Sequence, residues 1–252
     1  MAEAAVVSPV SVTARIAGLW RYPVQSLRGE ALAELDFTAA GVLGDRGYGI
    51  ADVANGIVVG SSRPGWDALI TWSARYLGPV TMAAPLPPVE IVFPEGGTLR
   101  SDDPDGNRIL SDRLGKAVQL VINDGSVAKR RYDLAPCHFV TSATLNKLRA
   151  IYPEGQFDAA RFRPNLLLDC ADEIGFIEQG WHGRRLISDG VELTVTDDCV
   201  RCAQTVRAQG DLPKDPRILH TVTQHNRTLA GGYAAVTVSG RVSRDAAMVV
   251  MS

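Results

Sequence analysis

Val191-Glu192-Leu193-Thr194-Val195-Thr196-Asp197-Asp198-Cys199-Val200-Arg201-Cys202 is the stretch on which the reading of this chain turns. Its first part reads as a strand over 191–196, with Val191, Leu193 and Val195 on one side. The strand runs straight into two carboxylates and a Cys-x-x-Cys pair. A thiolate at a strand end is a soft ligand set at the rim of a sheet. Arg201 beside it offers a partner to that thiolate or to another anion. Taken alone, the pair fits a redox couple, half of a zinc site, or two unreactive cysteines. A zinc site needs four ligands, and Cys137, His138 and Cys170 form no matching second pair. A thioredoxin-like reading needs a βαβ neighbourhood, whereas Gly210 and Pro213 mark a loop over 208–214.

Two further segments carry chemistry. In Arg161-Phe162-Arg163-Pro164-Asn165-Leu166-Leu167-Leu168-Asp169, Arg163 stands just before an apolar strand over 164–169. Its guanidinium suits bidentate phosphate recognition at the sheet end, although a surface ion pair is the commoner fate of an arginine. Tyr22-Pro23-Val24-Gln25-Ser26 and Gly44-Asp45-Arg46 form the third signal, a rigid turn with anion donors.

Outward from these motifs the chain reads as β-rich. Residues 12–37 look strand-like, with 31–37 alternating loosely. Pro85-Leu86-Pro87-Pro88 leads into a strand over 89–93, and a polar loop follows over 94–107. Further strands are expected at 184–188 and 233–238. Two helices are expected. One starts at a Thr141 or Ser142 cap and carries Leu145, Leu148 and Ile151 on one face. The other starts at Asp215-Pro216, with Ile218, Leu219, Val222 and His225 at helical spacing. Residues 1–12 read as a loose tail.

The chain's 252 residues suit one large β-rich domain or two lobes sharing a core. A formal net charge of -2 favours neither nucleic acid nor an anionic membrane as a partner. The four cysteines do not form a secreted framework. No apolar run is long enough to span a membrane, and the first residues make a poor signal peptide, so the cytoplasm is the expected location.

Taken in order, five pieces resemble one family. They are Tyr22-Pro23-Val24-Gln25-Ser26 with Gly29-Glu30, Gly44-Asp45-Arg46, Arg161 to Asn165, Gly175-Phe176-Ile177-Glu178 with Trp181 and Gly183-Arg184, and Cys199 to Cys202. Together they are similar to the MOSC family, which includes the molybdenum cofactor sulfurase C-terminal domain and the mitochondrial amidoxime-reducing component. The likeness runs from about Ile16 to Val238. It implies an α+β, β-rich fold with a MOSC mixed β-barrel core, an N-terminal β-barrel subdomain and a few helices. It divides the chain into 1–12, an N-terminal part over 13–118 and a MOSC core over 119–252.

The resemblance also implies roles. Cys202 would ligate molybdenum and be the catalytic cysteine. Arg201 and Arg163, with Asn165 nearby, would lie against the cofactor. Thr141 and Ser142 would bind the phosphate region of the pterin, Ser26 and Arg46 would add N-terminal contacts, and Tyr233 would form the far wall. The chain departs from the family pattern in three places. Gln25 stands where the family usually has lysine, Ala203-Gln204-Thr205-Val206 replaces an apolar pair and two threonines, and Arg244-Asp245 replaces a Gly-Asp pair.

Two functions follow as expectations. One is a molybdenum-cofactor-dependent reductase of small N-hydroxylated or N-oxide substrates. It would be fed by a separate electron-donor protein, because the sequence carries no appended ferredoxin pattern. The other is a non-redox protein on the same scaffold, either a carrier of cofactor or sulfur or a metal-free enzyme using Cys202 in specialised biosynthesis.

Overall fold

The computed structural model describes residues 12–124, 126, 135–171 and 173–251. The expected tail at 1–12 lies almost wholly outside them. The fold is β-rich and centres on a closed barrel of seven strands. Around the barrel run Leu166–Asp169, Cys137–Thr141, Leu229–Val238, Val191–Val200, Arg185–Ser188, Ala247–Met251 and Val12–Arg21, and the last returns to pair with the first. Every barrel pairing is antiparallel except that between Cys137–Thr141 and Leu166–Asp169. A parallel pair needs a crossover, which the helix Ser142–Ile151 supplies.

Apolar side chains fill the barrel, among them Ile16, Leu19, Phe139, Leu168, Leu193 and Val250. Each buried side chain of this size contributes about 1.5–3 kcal/mol of transfer free energy. A second core, around Val24, Ile50, Leu69, Trp72, Ile91 and Leu110, belongs to the N-terminal part. A third packs the helices Ser142–Ile151 and Pro216–Asn226 onto the barrel through Leu145, Leu148, Ile218 and Val222.

Both expected helices form where their caps placed them. Thr141 accepts a hydrogen bond from the Thr144 backbone N–H, and Asp215 accepts one from that of Arg217. His225 is solvent-exposed on the second helix.

Several strand limits differ from the sequence reading. The strand expected over 164–169 begins at Leu166, because Arg163 takes a left-handed backbone (φ 53°) and Pro164 has no N–H to give to a ladder. The strand expected over 233–238 begins at Leu229. Gly231 sits within the strand at φ 82°, where a Cβ would meet the Phe139 carbonyl oxygen at 2.4 Å. The segment over 31–37 splits into Glu30–Ala31 and Glu34–Thr38. The polar loop over 94–107 holds the strand Thr98–Arg100 and the start of a helix, Gly106–Leu114. That helix, which buries Leu110 and ends on a left-handed Gly115, escaped the reading; its N-cap, Asp105, makes no side-chain cap bond.

Candidate functional site

The open end of the barrel beside Cys202 carries a cavity of about 650 Å³. Six of the nine residues to which the resemblance gives roles line it: Ser26, Arg46, Arg163, Arg201, Cys202 and Tyr233. Five of them come from four separate motifs, Tyr233 lies outside the motifs, and the set draws on both parts of the chain. Gln25 and Gln204, two of the departures, line it as well.

Strand Val191–Val200 supplies one wall in an unusual way. Alternate residues of a regular strand face opposite sides, yet Asp197, Asp198, Cys199 and Val200 all reach the cavity. Two register shifts, at Val195/Asp197 and at Asp198/Val200, account for this, since a bulge re-aims the side chains around it. Sequence reasoning missed Asp197 and Asp198 as lining residues, because alternation cannot forecast a bulge.

All four cysteines are free thiols; Cys202 is exposed and the other three are buried. Cys199 is thus no bridge partner. Its thiol donates to the Tyr233 hydroxyl (3.0 Å) and accepts from Arg201 Nη1 (2.7 Å).

Arg201 is held on three sides. Beyond Cys199, its Nη1 meets His138 Nε2 at 3.2 Å and its Nη2 donates to the Phe162 carbonyl at 2.6 Å. His138 Nδ1 lies 3.2 Å from the Arg163 carbonyl. A carbonyl only accepts and a guanidinium only donates. Nδ1 therefore carries the proton and Nε2 accepts. Burial, reinforced by the Arg201 charge, holds His138 well below the usual histidine range, which keeps the ring neutral and this arrangement intact. The sequence had weighed His138 only as a zinc ligand.

Arg46 and Arg163 flank Tyr22, with guanidinium carbons 5.1 and 4.2 Å from its ring centre. Burial pushes the Tyr22 phenol up. It stays protonated and donates to the Pro164 carbonyl at 3.0 Å. Arg46 also pairs with Asp45, and Arg163 Nη1 donates to the Leu27 carbonyl at 2.6 Å.

Ser26, Arg46 and Arg163 all have left-handed backbones, with φ of 72°, 52° and 53°. For a residue other than glycine such a backbone costs on the order of 1–3 kcal/mol and concentrates at ligand sites. Three of them on one cavity mark a wall whose shape is imposed by its surroundings.

Thr141, Ser142 and Asn165 lie outside the lining, and their side chains bond within the protein. The Thr141 hydroxyl donates to Glu178 Oε2 at 2.8 Å. Ser142 donates to Asp169 Oδ1 (3.1 Å) and accepts from the Cys170 N–H (2.9 Å). Asn165 bridges strands by accepting from the His138 N–H (3.0 Å) and donating to the Trp20 carbonyl (3.2 Å). Glu178, also missed, is buried and takes the Gly231 N–H at 2.9 Å on its other oxygen. The Gly175–Trp181 motif that contains it was its only sequence signal.

The fold is thus a closed mixed barrel with one exposed cysteine at the mouth of an arginine-walled cavity. The comparisons narrow this. The MOSC domain model matches residues 130–249 and the MOSC N-terminal beta barrel domain model matches residues 13–82, so the chain belongs to the MOSC family. The YuaD protein from Bacillus subtilis has a similar fold, with a TM-score of 0.53, 13% identity, and cover of 97% of this chain and 99% of that one. YiiM from Escherichia coli aligns over 47% of this chain and 55% of its own, with 16% identity and a TM-score of 0.32. No curated protein matches the chain. Among the described residues, no helix is long and apolar enough to cross a membrane.

Proposed function

We propose that this chain binds a molybdenum–pterin cofactor in the arginine-walled cavity and reduces N-hydroxylated or N-oxide substrates at a metal held by Cys202. The observation that carries this reading is the convergence of one exposed thiol with Arg46, Arg163 and Arg201 on a single cavity.

The donor set fits the group. Among the described residues, no cluster of three or more His, Cys, Asp or Glu could hold a metal. A metal at Cys202 would therefore take its other ligands from a non-protein group, as a pterin dithiolene provides. Arg201 Nε is buried without a hydrogen-bond partner, a donor that a bound anion would satisfy. When bound, the group supplies the two-electron chemistry by which the N–O oxygen leaves as water.

The chain's own residues do the rest. Arg46 and Arg163 would meet the phosphate end, with Ser26 shaping the turn beside them. Arg201, set by Cys199, His138 and Phe162, would lie against the pterin, and Tyr233 would form the far wall. Thr141, Ser142 and Asn165 would act indirectly, by tying neighbouring elements of the barrel together. The electrons would come from a separate donor protein, and the substrate is a small molecule.

A specific observation favours the non-redox alternative. Gln25, where the family resemblance has lysine, is buried and accepts from Asn123 Nδ2 at 2.8 Å, so it brings no cation to the cavity. Metal analysis separates the two readings. Protein made in a host competent for molybdenum cofactor should contain molybdenum and reduce an N-hydroxyamidine with an artificial electron donor. Protein that never takes up molybdenum in such a host would overturn the reductase reading.

A further inference from the structure

Arg161 has no role in the reading above, yet it is the largest fully buried side chain in the structure. Its hydrogen bonds all go to backbone carbonyls. Nε donates to Gln156 (2.8 Å), Nη1 to Thr205 (3.2 Å) and Arg207 (3.3 Å), and Nη2 to Pro213 (2.7 Å). Three of these four acceptors lie on the segment just after Cys202. Thr205 in turn reaches back to Cys202, since its N–H (3.1 Å) and its hydroxyl (2.9 Å) both donate to the Cys202 carbonyl. The short helix that carries Arg161, Ala159–Phe162, grips the other flank too, because the Phe162 carbonyl receives Arg201 Nη2.

We infer that Arg161 is a positioning residue for Cys202. The helix Ala159–Phe162 acts as a two-sided clamp, holding Arg201 ahead of the cysteine through Phe162 and Thr205 behind it through Arg161. Burying a cation is costly, and its planar fork is what serves several carbonyls at once. Lysine, with one ammonium, cannot span Gln156, Thr205 and Pro213 together. The clamp rests on the reading of Cys202 as the working residue, but it is tested on the thiol alone, with no metal or turnover involved.

The test is a nitroxide spin label on Cys202 of the full chain, the exposed cysteine, read by electron paramagnetic resonance. In the wild type the label should be immobilised. In Arg161→Lys its correlation time should shorten severalfold, with faster amide exchange over 203–213 and unchanged exchange in the barrel strands. Thr205→Val, which leaves the buried cation and both Thr205 backbone bonds in place and removes the hydroxyl bond to Cys202, should mobilise the label to a lesser degree and serves on its own if Arg161→Lys does not fold. The double variant should be less mobile than the sum of the two single effects predicts, because both weaken the same relay. Leu110→Ala, which weakens the distant N-terminal core, should leave the line shape untouched. A label as immobile in Thr205→Val as in the wild type would overturn the clamp. So would strictly additive effects, or mobilisation by Leu110→Ala equal to that by Arg161→Lys. Loss of molybdenum uptake with this pattern intact would sink the reductase reading and leave the clamp standing.

Discussion

Arg163 and Arg201 on the cavity wall, and Thr141 and Ser142 outside its lining, are all polar residues, yet they spend their polarity differently. Thr141 and Ser142 each donate and accept within the protein. Arg201 keeps a buried Nε without a partner and shares a cavity with an exposed thiol. Arg163 takes a left-handed backbone to face that cavity. The contrast teaches that a polar residue in a family motif serves either the ligand or the frame, and that its hydrogen-bond inventory tells which.

Four experiments test that contrast. The largest effect is expected at Cys202. Cys202→Ala should lower N-hydroxyamidine reduction by more than about 100-fold, since even outer partners of metal ligands cost about 10–100-fold. Thermal unfolding should be unchanged, because the side chain is exposed. Next is Arg163→Ala, which removes a charge-assisted contact of roughly 1.5–3 kcal/mol. Cofactor content should fall by about 10- to 100-fold.

Thr141→Ala should do the reverse. Loss of the helix cap costs on the order of 1 kcal/mol, and Glu178 loses a donor besides, so denaturant midpoints should drop while cofactor content in the folded fraction holds. If Thr141→Ala depletes cofactor as severely as Arg163→Ala, the division into wall and frame collapses.

The smallest effect is a slope. Burial raises the Glu178 carboxyl despite its hydrogen bonds from Thr144 and Thr141. Above the unfolded carboxylate range of about 4.3, the folded state then binds more protons than the unfolded one. Stability from this group should be full below that range and fall as pH rises toward the raised folded value, by up to about 1.4 kcal/mol per pH unit. Glu178→Gln should flatten this part of the pH–stability curve, and a curve that keeps its slope would show that Glu178 does not produce it.

The sequence made the frame easier to read than the site. Strand Val191–Val200 and the helices at Ser142 and Pro216 announce themselves through alternation and caps, which are local signals. Strands Tyr48–Asp52 and Val118–Ile122 pair across a long separation and lack such signals. At the site, the motif cysteine and arginines were visible because their residue types carry chemistry. The double bulge that brings both Asp197 and Asp198 to the cavity was not visible, nor was the burial of Arg161, since both depend on what packs against them. Gln204 looked like a mere loss of apolar character. In the fold it donates to Ser61 Oγ at 2.8 Å and ties the cysteine segment to the N-terminal part.

Val12–Arg21 is bonded along one edge to Leu166–Asp169 and along the other to Ala247–Met251. It is a stave in a cask otherwise made by the second half of the chain. Without it, two strands would present bare edges to solvent, the kind of surface on which sheets from different molecules stick together. The segment matched as the MOSC domain is therefore not a module that can be lifted out and fused elsewhere. Anyone grafting this cavity onto another scaffold must carry those ten residues along, or supply a strand that mimics them.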